Sequence, residues 1–306
     1  MTAPDASAGS PRRWRRSRLL LFLIPAAPLA AIWWFTAPLA DRPTAPPPHP
    51  TGADEIPASI IGDPTEWPQE TLSGEPAKTF LLESMLRSTA RLERVTAYTA
   101  TFHKQERISG KLGPELTLAL KVRNHPFAIY LKFLAPKAGK EVVYAEGHHE
   151  NKLIAHNGDW TRRLIPRLAI PPDSALALAD SRHPVTEAGL LHLAHTLVHF
   201  RKMDVGDAEA LTVLDRTTGP DGKPRLRSVH THPRNDGRRP FARVEVLYDP
   251  ETQYPIEILS YDWPAPDHAG ELELAERYAY DDLKLGAPLT AADFDPTNPD
   301  YAFMRF

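Results

Sequence analysis

Residues 115–133 read ELTLALKVRNHPFAIYLKF, and this stretch decides the fold. Polar and apolar side chains alternate in its first part, where one face carries Leu116, Leu118, Leu120 and Val122. Successive side chains of a strand point to opposite sides, so this pattern predicts a half-buried β-strand. A turn signal at 124–126 follows, and the alternation then resumes with Phe127, Ile129, Leu131 and Phe133. The two runs predict a pair of antiparallel strands.

The same alternation recurs along most of the chain. Further strands are predicted at residues 140–146, 151–156, 210–217, 225–232, 241–248, 256–263 and 271–283. Clusters of Gly, Asn, Asp and Pro separate them, as is typical of short turns. Apolar residues at helical spacing predict a first helix near Pro76 and a second helical block opened by Pro184, with a shorter helix near residues 173–180.

The order of these elements predicts the fold class. Consecutive strands joined by short turns form an antiparallel meander. A sheet of about ten strands curls strongly under its own twist. We therefore predict a mainly β, α+β domain: a single strongly curved antiparallel sheet, a half-barrel, with helices covering its concave face.

The N-terminal part has the order of a membrane-targeting segment. Residues 1–18 contain five arginines, and the apolar run from Leu19 to Phe35 follows. Basic residues favour the cytoplasmic side, so residues 1–18 are predicted to be cytoplasmic and 19–35 to be a signal-anchor. A cleaved signal peptide is the alternative. Residues 36–74 are rich in proline and predict an extended tether.

This layout predicts a bacterial inner-membrane protein that spans the membrane once, with residues 75–306 forming a periplasmic domain. Among its 306 residues the chain has no cysteine, which excludes disulfides, thiolate zinc sites and lipid attachment through a cysteine. Its net charge of −3 disfavours a nucleic-acid partner. The basic N-terminus is better explained by membrane topology.

Several segments carry a family resemblance. Residues 126–134 read PFAIYLKFL, residues 139–144 read GKEVVY, and residues 182–186 read RHPVT. With the closing YDDLKL at 280–285, these segments resemble the domain-of-unknown-function 1571 family, within the LolA-like superfamily of lipoprotein carriers. The resemblance implies a half-open barrel with helices at its mouth. It also implies binding of acyl chains or lipoproteins, as characterised members of the superfamily do.

The candidate ligand site is the concave face of the sheet. A carrier needs an apolar surface there, because burying an acyl chain gains about 0.8 kcal/mol per methylene. The inward sets of the predicted strands supply the candidate lining: Leu116, Leu118, Leu120, Ile129, Leu131, Val244, Val246, Ile256, Ile258, Leu272 and Leu274. The alternative interpretation is that these residues are ordinary core, packed by the helices. The expected partners are a lipid or an acylated protein, and an envelope protein is possible as well.

Catalytic chemistry finds little support in the sequence. There is no Gly-x-Ser-x-Gly elbow and no glycine-rich phosphate loop. His192, His195 and His199 share one helix face at a spacing compatible with zinc, but a solvated polar face explains them better. We therefore predict no enzyme activity, no catalytic or metal-binding residue and no cofactor. A scaffold that binds another envelope protein, and less favourably a metal-dependent hydrolase, are the alternative functions.

Overall fold

The structure is a computed structural model that describes residues 63–158, 167–264 and 271–303. All of them belong to the second of two compact units, Ala40–Phe306. The predicted cytoplasmic segment, the predicted span at 19–35 and most of the predicted tether lie outside the described residues. Among the residues that are described, no helix is long and apolar enough to cross a membrane.

The described residues form one antiparallel sheet of thirteen strands. In chain order the strands are β1 (Leu72–Ser73), β2 (Ala97–Ile108), β3 (Lys111–Leu112), β4 (Leu116–Arg123), β5 (Ala128–Ala135), β6 (Glu141–Ala145), β7 (Leu153–His156), β8 (Leu168–Ile170), β9 (Leu211–Thr218), β10 (Pro224–Thr231), β11 (Arg243–Tyr248), β12 (Pro255–Tyr261) and β13 (Leu274–Leu285). Their spatial order is β1-β9-β10-β11-β12-β13-β2-β4-β5-β6-β7-β8, with β3 paired to β2 alone. The sheet is open, and the predicted mainly β fold class is confirmed.

Two meanders meet at the pairing of β13 with β2. Strands β2 and β4–β8 follow one another along the chain, as do β9–β13. The last strand then pairs with the first long one, with Tyr280 opposite Phe102 and Glu276 opposite Glu106. This long-range pairing places residues that are about 170 positions apart side by side in the middle of the sheet.

Two α-helices are described, α1 (Glu75–Leu92) and α2 (Leu190–Asp204). Each follows a glycine with positive φ, Gly74 at 70° and Gly189 at 105°, a conformation that only glycine adopts without strain. The helix predicted to open at Pro184 instead begins at Leu190, after a 3₁₀ turn at Val185–Glu187. The short helix predicted near residues 173–180 is a 3₁₀ turn at Ala177–Asp180.

The helices define an inner face of the sheet. Buried side chains of α1 and α2, such as Leu81 and Leu197, share an apolar cluster with Val244 and Val246 of β11. The opposite, outer face carries charged residues along much of its extent, for example Arg227 bonded to Asp215 at 2.8 Å. This division is the expected alternation of a sheet with one buried face.

Candidate functional site

The inner face of β4–β7 carries the first apolar cluster. Its strand residues include Leu118, Leu120, Ile129, Val142 and Leu153, all buried. Short aliphatic and aromatic side chains from β2 and β13 extend it towards the middle of the sheet. The result is a continuous apolar surface across one half of the sheet.

The first apolar cluster is covered partly by buried residues of the two helices, Leu92, Leu190 and Ala194, and partly by a segment with little regular structure. We call residues 170–189 the cover segment. Four of its apolar side chains pack on the cluster, and none of them is fully buried: Ile170, Ala177, Val185 and Ala188. The cover segment ends where the buried Leu190 begins α2.

The other half of the inner face is covered differently. Here α1 and α2 lie on β9–β13, and both layers contribute buried apolar side chains. Leu81 and Leu214 are both 0 % exposed, and Trp67 adds an aromatic contact with Phe80 at 5.7 Å between ring centroids. This half has the packing of an ordinary helix-on-sheet core.

The predicted lining residues divide between these two halves. The first apolar cluster contains five of them: Leu116, Leu118, Leu120, Ile129 and Leu131. Val244, Val246 and Ile258 lie beneath the helices. The remaining three, Ile256, Leu272 and Leu274, belong to neither inner-face cluster.

Register shifts in the strands explain two of the three exceptions. The register shifts opposite Leu247 and Tyr248, and the extra residue there is Ile256. A second shift makes Leu274 the partner of Tyr261, whereas Glu276 is the partner of Ser260. Directly paired residues share a face, so Leu274 points outward with Tyr261. Leu272 precedes the start of β13.

A buried acidic pair lies on the inner face between the two halves. Glu106 and Glu276 are register partners on β2 and β13, and both are buried. The Tyr278 hydroxyl donates a hydrogen bond to Glu106 Oε1. Ser260 Oγ donates to Glu276 Oε1 at 3.2 Å. Two carboxylates at this depth require cationic partners, because an uncompensated buried charge is costly.

The cover segment supplies most of those partners. His183 Nε2 lies 2.8 Å from Glu276 Oε2, and Arg182 Nε lies 3.3 Å from the same oxygen. The Arg182 backbone amide donates to Glu106 Oε2 at 3.1 Å. Lys104, on β2, reaches Glu106 at 3.0 Å and donates to Ser181 Oγ at 2.6 Å. The acidic pair therefore holds the cover segment against the sheet at residues 181–183.

The charges of this cluster stabilise one another. Burial alone would lower the pKa of His183, but Glu276, Glu187 and Glu106 together raise that pKa to about 10. Burial alone would raise the pKa of Glu276, but His183 and Arg182 lower it below its ordinary value. A protonated His183 paired with an ionised Glu276 is therefore the state at neutral pH.

Sequence reasoning missed this cluster. Lys104 and Glu106 are charged, yet they lie on the same face of β2 as Tyr98 and Phe102. Strict alternation from Tyr98 along β2 would have placed both charges on the inner face. In the sequence, the partner segment at 182–186 carries the family resemblance but no signal of an ion pair.

The histidines have other contacts. His195 Nε2 lies 3.3 Å from Glu93 Oε1. His230 is buried between hydroxyls, with Nδ1 3.1 Å from Thr212 Oγ1 and Nε2 2.9 Å from Ser228 Oγ. In the part of the chain that the structure describes, no three His, Cys, Asp or Glu residues are grouped so that they could hold a metal ion.

Solved structures similar to this chain include three from different bacteria. An uncharacterised conserved protein from Thermus thermophilus is 13 % identical, with a TM-score of 0.37, over 69 % of this chain and 90 % of that one. Lipoprotein LppX from Mycobacterium tuberculosis is 13 % identical, with a TM-score of 0.37, over 72 % and 100 %. A LolA superfamily protein from Nitrosomonas europaea is 10 % identical, with a TM-score of 0.29, over 70 % and 97 %.

No curated protein matches the sequence. The model of one family, described as protein of unknown function (DUF1571), matches residues 95–303. This match covers more than half of the chain, and the protein therefore belongs to the DUF1571 family.

Proposed function

We propose that this protein is a non-catalytic, membrane-tethered envelope protein that binds a hydrophobic ligand, a lipid or the acyl chain of a lipoprotein. The ligand would lie between the first apolar cluster and the cover segment. One observation carries this proposal: half-buried loops and 3₁₀ turns cover the apolar inner face of β4–β7 beside the buried helix residues Leu190 and Ala194.

The apolar contacts of this cover can be displaced at low cost, and its strongest attachment is the ionic one at Arg182 and His183. Its apolar side chains lose little contact with the sheet on leaving, because they are only partly buried there. An acyl chain that replaces them gains about 0.8 kcal/mol for each buried methylene. Leu116 and Leu131 are half-buried beneath this cover, which makes them the first side chains that an entering chain would meet.

The proposed location rests on the N-terminal sequence. Residues 19–35 would anchor the chain in the inner membrane, and the proline-rich segment at 36–74 would hold the domain in the periplasm. A tethered domain cannot diffuse between membranes as a free carrier does. Its role would therefore be to hand its cargo to a partner or to sense the presence of that cargo.

Native mass spectrometry of the purified full chain, followed by lipid extraction, tests this function. We expect copurifying acyl lipid in the wild type and its loss in the variants Leu116→Asp and Leu131→Asp, since a carboxylate on this surface would oppose burial of a hydrocarbon. Leu134→Asp is the matched control, because Leu134 lies on the same strand as Leu131 but is 45 % exposed. Folded wild-type protein without lipid would refute the proposal and favour the scaffold alternative.

A further inference from the structure

The C-terminal segment lies on the outer face of the sheet, opposite the proposed ligand site. A 3₁₀ turn at Ala291–Phe294 opens it, and no strand forms among its described residues up to Phe303. Three aromatic side chains of this segment are buried against β5, β6 and β7: Phe294, Tyr301 and Phe303. The segment is therefore attached by side chains rather than by sheet pairing.

Two rings of the segment meet two rings of the sheet. Tyr301 stacks on Tyr130 with 4.0 Å between ring centroids and an angle of 7° between the planes. Phe303 packs edge-on against His156 at 4.7 Å and 89°. The two docked residues are separated by one position, which is the period of an extended chain.

The backbone between those two aromatic residues also contacts the sheet. The Ala302 amide donates a hydrogen bond to Glu141 Oε2 at 2.9 Å, and His156 Nε2 lies 3.2 Å from the same oxygen. Glu141 is only 1 % exposed. Its other oxygen, Oε1, lies 3.7 Å from Lys132 Nζ, so both oxygens of this carboxylate have partners. A buried carboxylate that accepts from one backbone amide fixes the position of the segment at Ala302.

Basic side chains of β4 complement the acidic character of the segment. Residues 288–303 contain three aspartates and no lysine or arginine. Lys121 Nζ donates to Asp293 Oδ1 at 2.7 Å and to the Tyr301 hydroxyl at 3.1 Å. The Arg123 guanidinium lies 5.3 Å from the centre of the Phe294 ring.

We infer that the outer face of β5–β7 is a peptide-binding groove which the chain fills with its own C-terminal segment. The kind of partner it fits is an acidic polypeptide segment that carries two aromatic residues with one residue between them. Such a segment from another protein would enter when the internal one leaves. This groove is independent of the proposed lipid site, since it lies on the opposite face of the sheet.

An added peptide must compete with the internal C-terminal segment for the groove, and this competition lowers its apparent affinity. A covalently linked segment acts at an effective concentration in the millimolar range, so an added peptide competes poorly with it. Tyr301→Ala combined with Phe303→Ala weakens the internal segment and leaves the groove unchanged. The probe is a fluorescently labelled peptide of residues 288–303, and its anisotropy is measured with the full chain.

We expect the double variant to bind this peptide at least about tenfold more tightly than the wild type does. Lys121→Met, added to the double variant, should weaken binding again, and a peptide in which alanine replaces both aromatic residues should not bind. If the double variant does not fold, Ala302→Pro replaces it, since proline removes the amide donor and keeps both rings. A folded variant that fails to bind the peptide, or that binds both peptides equally, would overturn the inference.

Discussion

Replacing Glu276 by glutamine tests whether the acidic pair holds the cover segment. The substitution keeps the shape of the side chain and its bond with Ser260, but it removes the charge opposite His183 and Arg182. Removing one partner of a buried ion pair costs about 3–5 kcal/mol. His183 keeps 20 % of its side-chain surface exposed, so the lower end of that range, about 3 kcal/mol, applies here.

That free energy should appear as local opening of the cover segment. About 3 kcal/mol corresponds to a change of about a hundredfold in the opening equilibrium. Hydrogen exchange measured by mass spectrometry reports this opening through the amides of residues 182–190, among them Arg182 bonded to Glu106 and Leu190 bonded to the Tyr98 hydroxyl. We expect their exchange to accelerate by that factor at pH 7, while the amides of α1 keep their wild-type rates.

The pH dependence gives an independent readout. Because the folded pKa of His183 is raised to about 10, its contribution to stability is complete below the unfolded pKa of about 6.5 and is lost as the pH rises towards 10. Raising the pH from 7 to 10 should therefore open the cover segment in the wild type. The same change should have much less effect in Glu276→Gln, which lacks the main partner of His183.

A matched control separates the cover from the sheet as a whole. Glu115→Gln also removes a carboxylate paired with an arginine, at 2.5 Å from Arg277 Nη1, but this pair is exposed on the outer face. An exposed pair contributes at most about 1 kcal/mol, so exchange of residues 182–190 should not change. Exchange there that stays within about twofold of the wild type in Glu276→Gln, or that rises equally in α1, would refute the role of the acidic pair.

Two further predictions concern the elements around the site. Asp204→Asn should lower the free energy of unfolding by about 3 kcal/mol in urea titrations, because this buried carboxylate compensates Arg201 and Arg239 at 3.2 and 3.0 Å. Burial raises the pKa of Asp204, but Arg201, His232 and Arg239 lower it overall. The wild type should therefore lose this stability as the pH falls below about 4, and the variant should not. Tyr98→Phe should cost about 1–3 kcal/mol and accelerate exchange at Leu190, whose amide donates to the Tyr98 hydroxyl at 2.8 Å; unchanged exchange at Leu190 would contradict that reasoning.

Alternation was enough to predict most strands of this sheet. The run at 115–123 and β4 at Leu116–Arg123 differ by one residue, and the run at 225–232 and β10 at Pro224–Thr231 differ by one residue at each end. The pattern succeeds because one face of each strand is buried and the other is not, so the side-chain period is visible in the sequence.

The failures have two physical causes. A single extra residue in a strand moves the side chains beyond it to the opposite face of the sheet, as Leu274 shows. The local sequence gives no signal of such an extra residue. The second cause is long-range compensation. Glu106 and Glu276 are charged residues on a buried face: Lys104 on the same strand pairs with Glu106, but Glu276 is neutralised by two distant residues, Arg182 and His183. Residue spacing along one strand does not predict an ion pair between residues that are so far apart in the sequence.

The two halves of the inner face place different demands on a ligand. Beneath α1 and α2, side chains such as Leu81 and Leu214 are fully buried, so a ligand there would have to separate two packed layers. Beneath the cover segment, a ligand replaces only half-buried contacts, and the strongest attachment is the ionic one at Arg182 and His183. Water can solvate those charges once they separate, whereas water cannot replace lost apolar packing. Opening is therefore expected at the cover segment, with the helical half serving as the fixed support.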